Sequence, residues 1–144
     1  MRVKKVTVET LIRNHNTNNP FYIAKEKGII VLFEPLGDAL GYYNFYVRHQ
    51  MIHINRDAPS SMKTFICAHE LGHALYHSDV NTPFLKKHTL FSADKIEREA
   101  NLFAVELLLP DYLIQESGEN SLYALAVRYG IPQKLAELKR YKKI

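Results

Sequence analysis

Residues 62–77 read Met62-Lys63-Thr64-Phe65-Ile66-Cys67-Ala68-His69-Glu70-Leu71-Gly72-His73-Ala74-Leu75-Tyr76-His77, and the reading of this stretch decides the fold. Phe65, Ile66, Cys67, Ala68, Leu71, Ala74 and Leu75 place apolar side chains on nearly every side of a helical wheel. That pattern predicts one helix from Met62 to about His77, buried on most sides. Ala58-Pro59-Ser60-Ser61 supplies the start signal ahead of it. A helix so apolar needs cover, so a sheet and further helices must pack around it.

Its polar residues are not scattered. His69-Glu70-Leu71-Gly72-His73 is an HExxH motif. Residues i and i+4 share one helix face a turn apart, so both imidazoles can meet a single ion. The ion expected is zinc, which takes nitrogen ligands at about 2.0–2.1 Å and keeps a tetrahedral position open for water. Glu70, one step round the helix, reaches that water rather than the ion and is the candidate general base for attack on a peptide carbonyl. Two imidazoles and a carboxylate are costly to bury on an apolar helix without partners, and a metal offsets that cost.

Two histidines need a third protein ligand. His77 continues the row but lies about 12 Å along the axis from His69, too far for one ion; it reads as a cation near a helix C-terminus. Asp79 follows His73 by the spacing of the HExxHxxGxxH pattern, but Tyr76 stands where that pattern needs glycine. A second helix, predicted from about Asp94 to Leu109 and stopped by Pro110, offers Glu97 and Glu99 on opposite edges of its apolar face. Glu97 shares an i, i+4 face with Asn101, which is in reach of a ligand histidine from behind. Glu99 reads as solvated.

Upstream, Asn19 and Pro20 are an N-cap and a first helical residue, predicting a helix to about Lys27, stopped by Gly28. Gly28–Phe33, Gly41–Val47 and Met51–Asn55 read as strands, the last two joined as a hairpin through Arg48, His49 and Gln50. The sheet thus has about three strands, with room for another near the N-terminus. Asn81–Ser92 reads as a loop. Two short helices are expected at the end, Ser121–Tyr129 and Gln133–Lys142, separated by Gly130-Ile131-Pro132. They resemble a helix-turn-helix, and they equally suit two packing helices that complete the core, the reading preferred here. The whole is an α+β fold, expected as a single domain over residues 1–144.

Composition fits. The chain has 144 residues, 47% hydrophobic and 24% charged, enough for one core and unlike a disordered segment. No apolar run suits a bilayer span. The basic N-terminus lacks the apolar region of a signal peptide, so a cytoplasmic location is expected. The single cysteine, Cys67, reads as a buried inert thiol. The net charge of +4 is drawn largely from Arg2, Lys4, Lys5, Lys134, Lys139, Arg140, Lys142 and Lys143. That is mild for a nucleic-acid binder and reads as a solvated surface with a charged tail.

The HExxH stretch from Phe65 to His73, the run Ile96-Glu97-Arg98-Glu99-Ala100-Asn101-Leu102-Phe103-Ala104, and Leu107-Leu108-Leu109-Pro110 together resemble the ImmA/IrrE family of zinc metallo-endopeptidases. The resemblance reaches upstream to Ile52-His53-Ile54-Asn55 and covers most of the chain from about Asn19 to Pro110. It implies a zincin-like fold, in which a small mixed or antiparallel sheet packs on the HExxH helix and a second helix brings the glutamate. It implies the gluzincin ligand set, with Glu97 third beside His69 and His73, and it implies zinc. Members without a large extra C-terminal domain are the minimal ones found on phages and other mobile elements. The resemblance further implies a protein substrate, a helix-turn-helix transcriptional repressor whose cleavage releases silenced genes. Two rival functions are a zinc-containing antirepressor that binds without cutting and a DNA-binding regulator acting through the C-terminal helices. An intact Glu70 favours the protease, and the modest charge weighs against the DNA binder.

Overall fold

A computed structural model describes residues 5–118 and 121–142, with the side chains of residues 5, 6 and 140–142 left aside. The fold is α+β, a four-stranded mixed sheet with helices packed against it. Helix α1 (Lys5–His15) occupies the N-terminal region where a strand had been allowed for. Helix α2 (Pro20–Glu26) begins as its cap dictates: Asn19 Oδ1 accepts from the backbone N–H of Phe21 at 2.9 Å and of Tyr22 at 3.4 Å.

Strands β1 (Ile30–Glu34), β2 (Ala39–Tyr46) and β3 (His49–Asn55) follow, and a two-residue strand β4 (Leu85–Lys86) completes the sheet in the order β1-β3-β2-β4. β1 runs parallel to β3, pairing Leu32 with His53, while β2 lies antiparallel to β3, pairing Tyr42 with His53. The β2–β3 turn is tighter than the sequence suggests. Val47 and Arg48 alone form it, with φ of 49° and 65°. Two positive φ values give a turn whose twist matches that of the strands, so His49 and Gln50 are released to lengthen β3. β4 was hidden in the expected loop because two residues carry no alternation to read.

Helix α3 (Ser60–Tyr76) packs on β2 and β3 and is buried continuously from Phe65 to Ala74. Tyr43, Ile52 and Ile54 of the sheet are fully buried in the same core. Helix α4 (Lys95–Leu108) crosses the other side of α3 and buries Phe103, Ala104 and Leu107. Gly72 permits this approach: a Cβ there would stand 3.1 Å from Phe103 Cδ2 and 3.3 Å from Ala100 Cα. The close crossing carries the first turn of α4 onto the histidine face of α3.

Helix α5 (Asp111–Ser117) was not foreseen; it starts directly after Pro110 and has no fully buried residue to give it a stripe. Of the final pair, α6 (Leu122–Arg128) is helical, but Gln133–Lys142 is a 3₁₀ segment. Leu125, Ala126, Leu135 and Ala136 are buried, so both pieces help to close the core.

Lys139 departs most sharply from the expected solvated tail. It is fully buried, and its ammonium donates to Glu106 Oε1 and Asp111 Oδ1, both at 2.9 Å. Of the other basic residues read as tail, Arg2, Lys4 and Lys143 lie outside the described residues, as do the side chains of Lys5, Arg140 and Lys142. Among the described residues, no helix is long and apolar enough to cross a membrane.

Candidate metal centre

α3 sets His69 and His73 one turn apart, and both are 1% exposed. Their Nε2 atoms turn toward α4. There Glu97 Oε1 lies 3.0 Å from His69 Nε2 and 3.4 Å from His73 Nε2. One ligand atom from each of His69, His73 and Glu97 can be chosen so that all lie within 4.8 Å of one another, close enough to hold one metal ion. Neither Glu99 nor Asp79 belongs to this group. Asp79 is exposed and accepts from Ser78 Oγ. Among the described residues, His69, His73 and Glu97 form the single His, Cys, Asp or Glu cluster with such spacing.

The surroundings fix these side chains. Asn101 donates through Nδ2 to the Leu90 carbonyl at 2.7 Å, so its Oδ1 must face His69, whose Nδ1 is 2.8 Å away. The amide therefore takes up the far side of the His69 ring, as expected of a residue one turn on from Glu97. Burial favours a neutral His73, pushing its pKa below the ordinary value against the opposing pull of Glu97. Burial also raises Glu97, but hydrogen bonds from the two histidines and their charges outweigh it and hold the carboxyl at about 2.

Glu70 behaves oppositely. It is 1% exposed, and neither carboxylate oxygen has a hydrogen-bond partner. Burial first, and the Glu97 charge second, raise its pKa well above the ordinary carboxylate value. Above it sits Gly41 of β2, where a Cβ would lie 3.7 Å from Glu70 Oε2. Cys67 is a buried free thiol whose pKa is raised, chiefly by burial, so the inert reading holds.

His77 caps the C-terminus of α3, where it was expected, but it is 8% exposed, with its Nδ1 3.0 Å from His73 Nδ1. One sequence expectation needs correction. Glu99 is not solvated, since its Oε1 lies 2.7 Å from His77 Nε2 and its side chain is 14% exposed. Nothing in the sequence marked the pair except that His77 continues the His69–His73 row. His53, part of the upstream resemblance, bonds Glu34 and Asn44 and stacks on Tyr42. Strand alternation turns it to the sheet face away from α3. Tyr76, His88 and Tyr123 carry groups that could stabilise an oxyanion, but Tyr123 donates to Glu137, Tyr76 packs on Phe103, and His88 is exposed.

The family model described as the IrrE N-terminal-like domain, a peptidase family, matches residues 24–139. The chain belongs to this family. Among its relatives is "Uncharacterized immunity region protein 2" of Bacillus phage phi105, 44% identical over 138 residues, covering 94% of this chain and 87% of that protein. Another is "Metallopeptidase ImmA" of Bacillus subtilis (strain 168), 35% identical over 115 residues, covering 78% of this chain and 67% of that protein. The His69–His73–Glu97 group thus sits in a chain of metallopeptidase ancestry.

Proposed function

We propose that this chain is a zinc-dependent endopeptidase, acting as one domain, with His69, His73 and Glu97 as zinc ligands, Asn101 as the support of His69, and Glu70 as general base. Glu70 carries the reading. A carboxylate buried with both oxygens unpartnered is among the costliest groups a core can hold. It follows His69 directly on α3 and feels the charge of Glu97, two of the three residues whose ligand atoms converge. The donor set, two imidazole nitrogens and a carboxylate oxygen, is that of catalytic zinc sites that keep one position open. The second oxygen of Glu97 makes no hydrogen bond and has only His73 Nε2 near it, at 3.4 Å.

Zinc, when bound, supplies Lewis acidity to a peptide carbonyl and renders a water acidic enough to attack at neutral pH. Glu70 accepts the proton of the attacking water at a carboxylate oxygen and passes it to the nitrogen of the leaving amine. Asn101 accepts from Nδ1–H of His69, which leaves Nε2, on the Glu97 side, as the nitrogen that would hold zinc.

The proposed substrate is a helix-turn-helix transcriptional repressor in the cytoplasm, cut so that genes of a phage or mobile element are released. Support comes from the family resemblance and from relatives named for a phage immunity region and as ImmA. The test is co-incubation with the repressor encoded beside this gene, followed by intact-mass measurement. Wild type should yield two fragments. Glu70→Gln should still bind zinc and repressor while cleavage falls by roughly 10²–10⁴-fold. Undiminished cleavage by Glu70→Gln would end the protease reading. A binding-only antirepressor would still derepress as Glu70→Gln, and a DNA-binding regulator would respond to Arg128 or Lys134 variants instead.

A further inference from the structure

A second line of polar side chains leaves the centre on the far side of His73. Its Nε2 faces Glu97, and its Nδ1 lies 3.0 Å from Nδ1 of His77. His77 in turn sets Nε2 2.7 Å from Glu99 Oε1. The side chains of His73, His77 and Glu99 are 1%, 7% and 14% exposed, so water does not compete strongly for these bonds.

Two ring nitrogens at hydrogen-bonding distance need one proton between them, and the outer carboxylate sets its direction. A carboxylate only accepts, so Nε2 of His77 carries a proton and donates it to Glu99. A neutral His77 then presents a bare Nδ1, which can only accept. His73 must therefore donate through Nδ1–H, which leaves Nε2, on the Glu97 side, as the nitrogen that would hold the metal. The reverse polarity would let His73 Nε2–H donate to Glu97, but that contact is 3.4 Å, beyond the usual N–H···O range, and it would strip the proton from the 2.7 Å contact between His77 and Glu99. Asn101 achieves the same for His69 with an amide in place of the imidazole and carboxylate.

We propose that His77 and Glu99 are positioning residues that fix the Nδ1–H tautomer and ring orientation of His73, so that this ligand is set before a metal arrives. The inference rests on the metal reading above. One pair of helices would then supply both layers, since His73 and His77 lie one turn apart at the end of α3, and Glu97 and Glu99 two residues apart at the start of α4.

The test measures zinc affinity of metal-free protein by chelator competition, alongside histidine tautomers by ¹⁵N NMR. His77→Leu keeps the bulk and removes the acceptor; zinc affinity should fall about 10–100-fold and His73 should lose its single tautomer. His77→Gln can accept through Oε1 and donate through its amide, and should restore affinity to within a few-fold of wild type. Glu99→Leu, at a more open position, should act in the direction of His77→Leu and serves if that variant does not fold. Wild-type affinity in folded leucine variants, or a glutamine variant as weak as leucine, would overturn the role of His77 and Glu99. A wild-type chain that takes up no zinc would instead overturn the metal reading itself.

Discussion

Glu97, in the first turn of α4, reaches His69 at 3.0 Å and His73 at 3.4 Å across 28 and 24 positions of sequence. The two helices are thus joined by the centre as well as by packing. Replacing Glu97 by alanine should lower zinc affinity by more than about 100-fold, beyond the loss expected for a residue that only supports a ligand. Asp79→Ala should bind zinc as wild type does. Elemental analysis after dialysis against a weak chelator separates the two, and the reverse ranking would dismiss Glu97 as a ligand.

Glu70 carries a stability cost with a definite pH sense. Its folded pKa is raised above the ordinary 4.5, so the folded form favours the protonated acid. The contribution to stability is full below 4.5 and is lost as pH rises toward the folded value. Glutamine at this position does not ionise and escapes the loss. Metal-free Glu70→Gln should therefore melt above wild type at pH 8, with the gap closing toward pH 4.5. A constant gap across that range would show that ionisation of Glu70 is not its source.

Lys139 ties the C-terminal 3₁₀ segment to α4 and α5 through Glu106 and Asp111. Glu106 is 2% exposed, so removing the lysine strands a buried carboxylate. Lys139→Ala should cost about 3–5 kcal/mol in denaturant unfolding. Coupling Lys139→Met with Glu106→Leu should recover most of it, because apolar groups of similar volume replace a buried pair at little net cost. Additive losses in the double variant would argue against a direct pairing.

Gly41 should not accept even one methyl group. A Cβ there would meet His53 O at 2.6 Å and Ile66 Cγ2 at 2.7 Å, the first being backbone held in the sheet. Gly41→Ala should destabilise by about 1–3 kcal/mol. A melting temperature equal to wild type would mean that β2 and α3 are less tightly apposed than described.

The pairing of His69 with His73 was legible in the sequence because HExxH is a helical period, and local. Glu97 shares that period with Asn101 on the next apolar helix, but the residues alone left Glu99 and Asp79 open beside it, and the family resemblance singled it out. Asn19-Pro20 was equally plain, since a cap acts on its own neighbours. What escaped depends on distant partners. His77 reads only as a cation near a helix C-terminus until α4 brings Glu99 against it. Lys139 looks like tail until Glu106, 33 positions earlier, meets it in the core. β4 is too short to show a period, and the Val47–Arg48 turn uses residues that do not advertise positive φ.

The parallel pairing of β1 with β3 also dictates an order of assembly. β2 and β3 are chain neighbours joined by a two-residue turn, and such hairpins close within about 1–10 microseconds. β1 precedes both, yet Ile30 pairs with Met51 on the far side of the hairpin. It gains its ladder only after that hairpin exists, and it must first bear the entropy of a longer closure. Until β1 docks, the outer edge of β3 is unpaired, and Ile52 and Ile54 stand beside open backbone. This interval is when a nascent chain is most exposed to edge-to-edge association with its own kind. The route to a finished centre thus passes through its most aggregation-prone moment, and slower synthesis or lower temperature should improve the yield of folded protein without altering a single contact in the final structure.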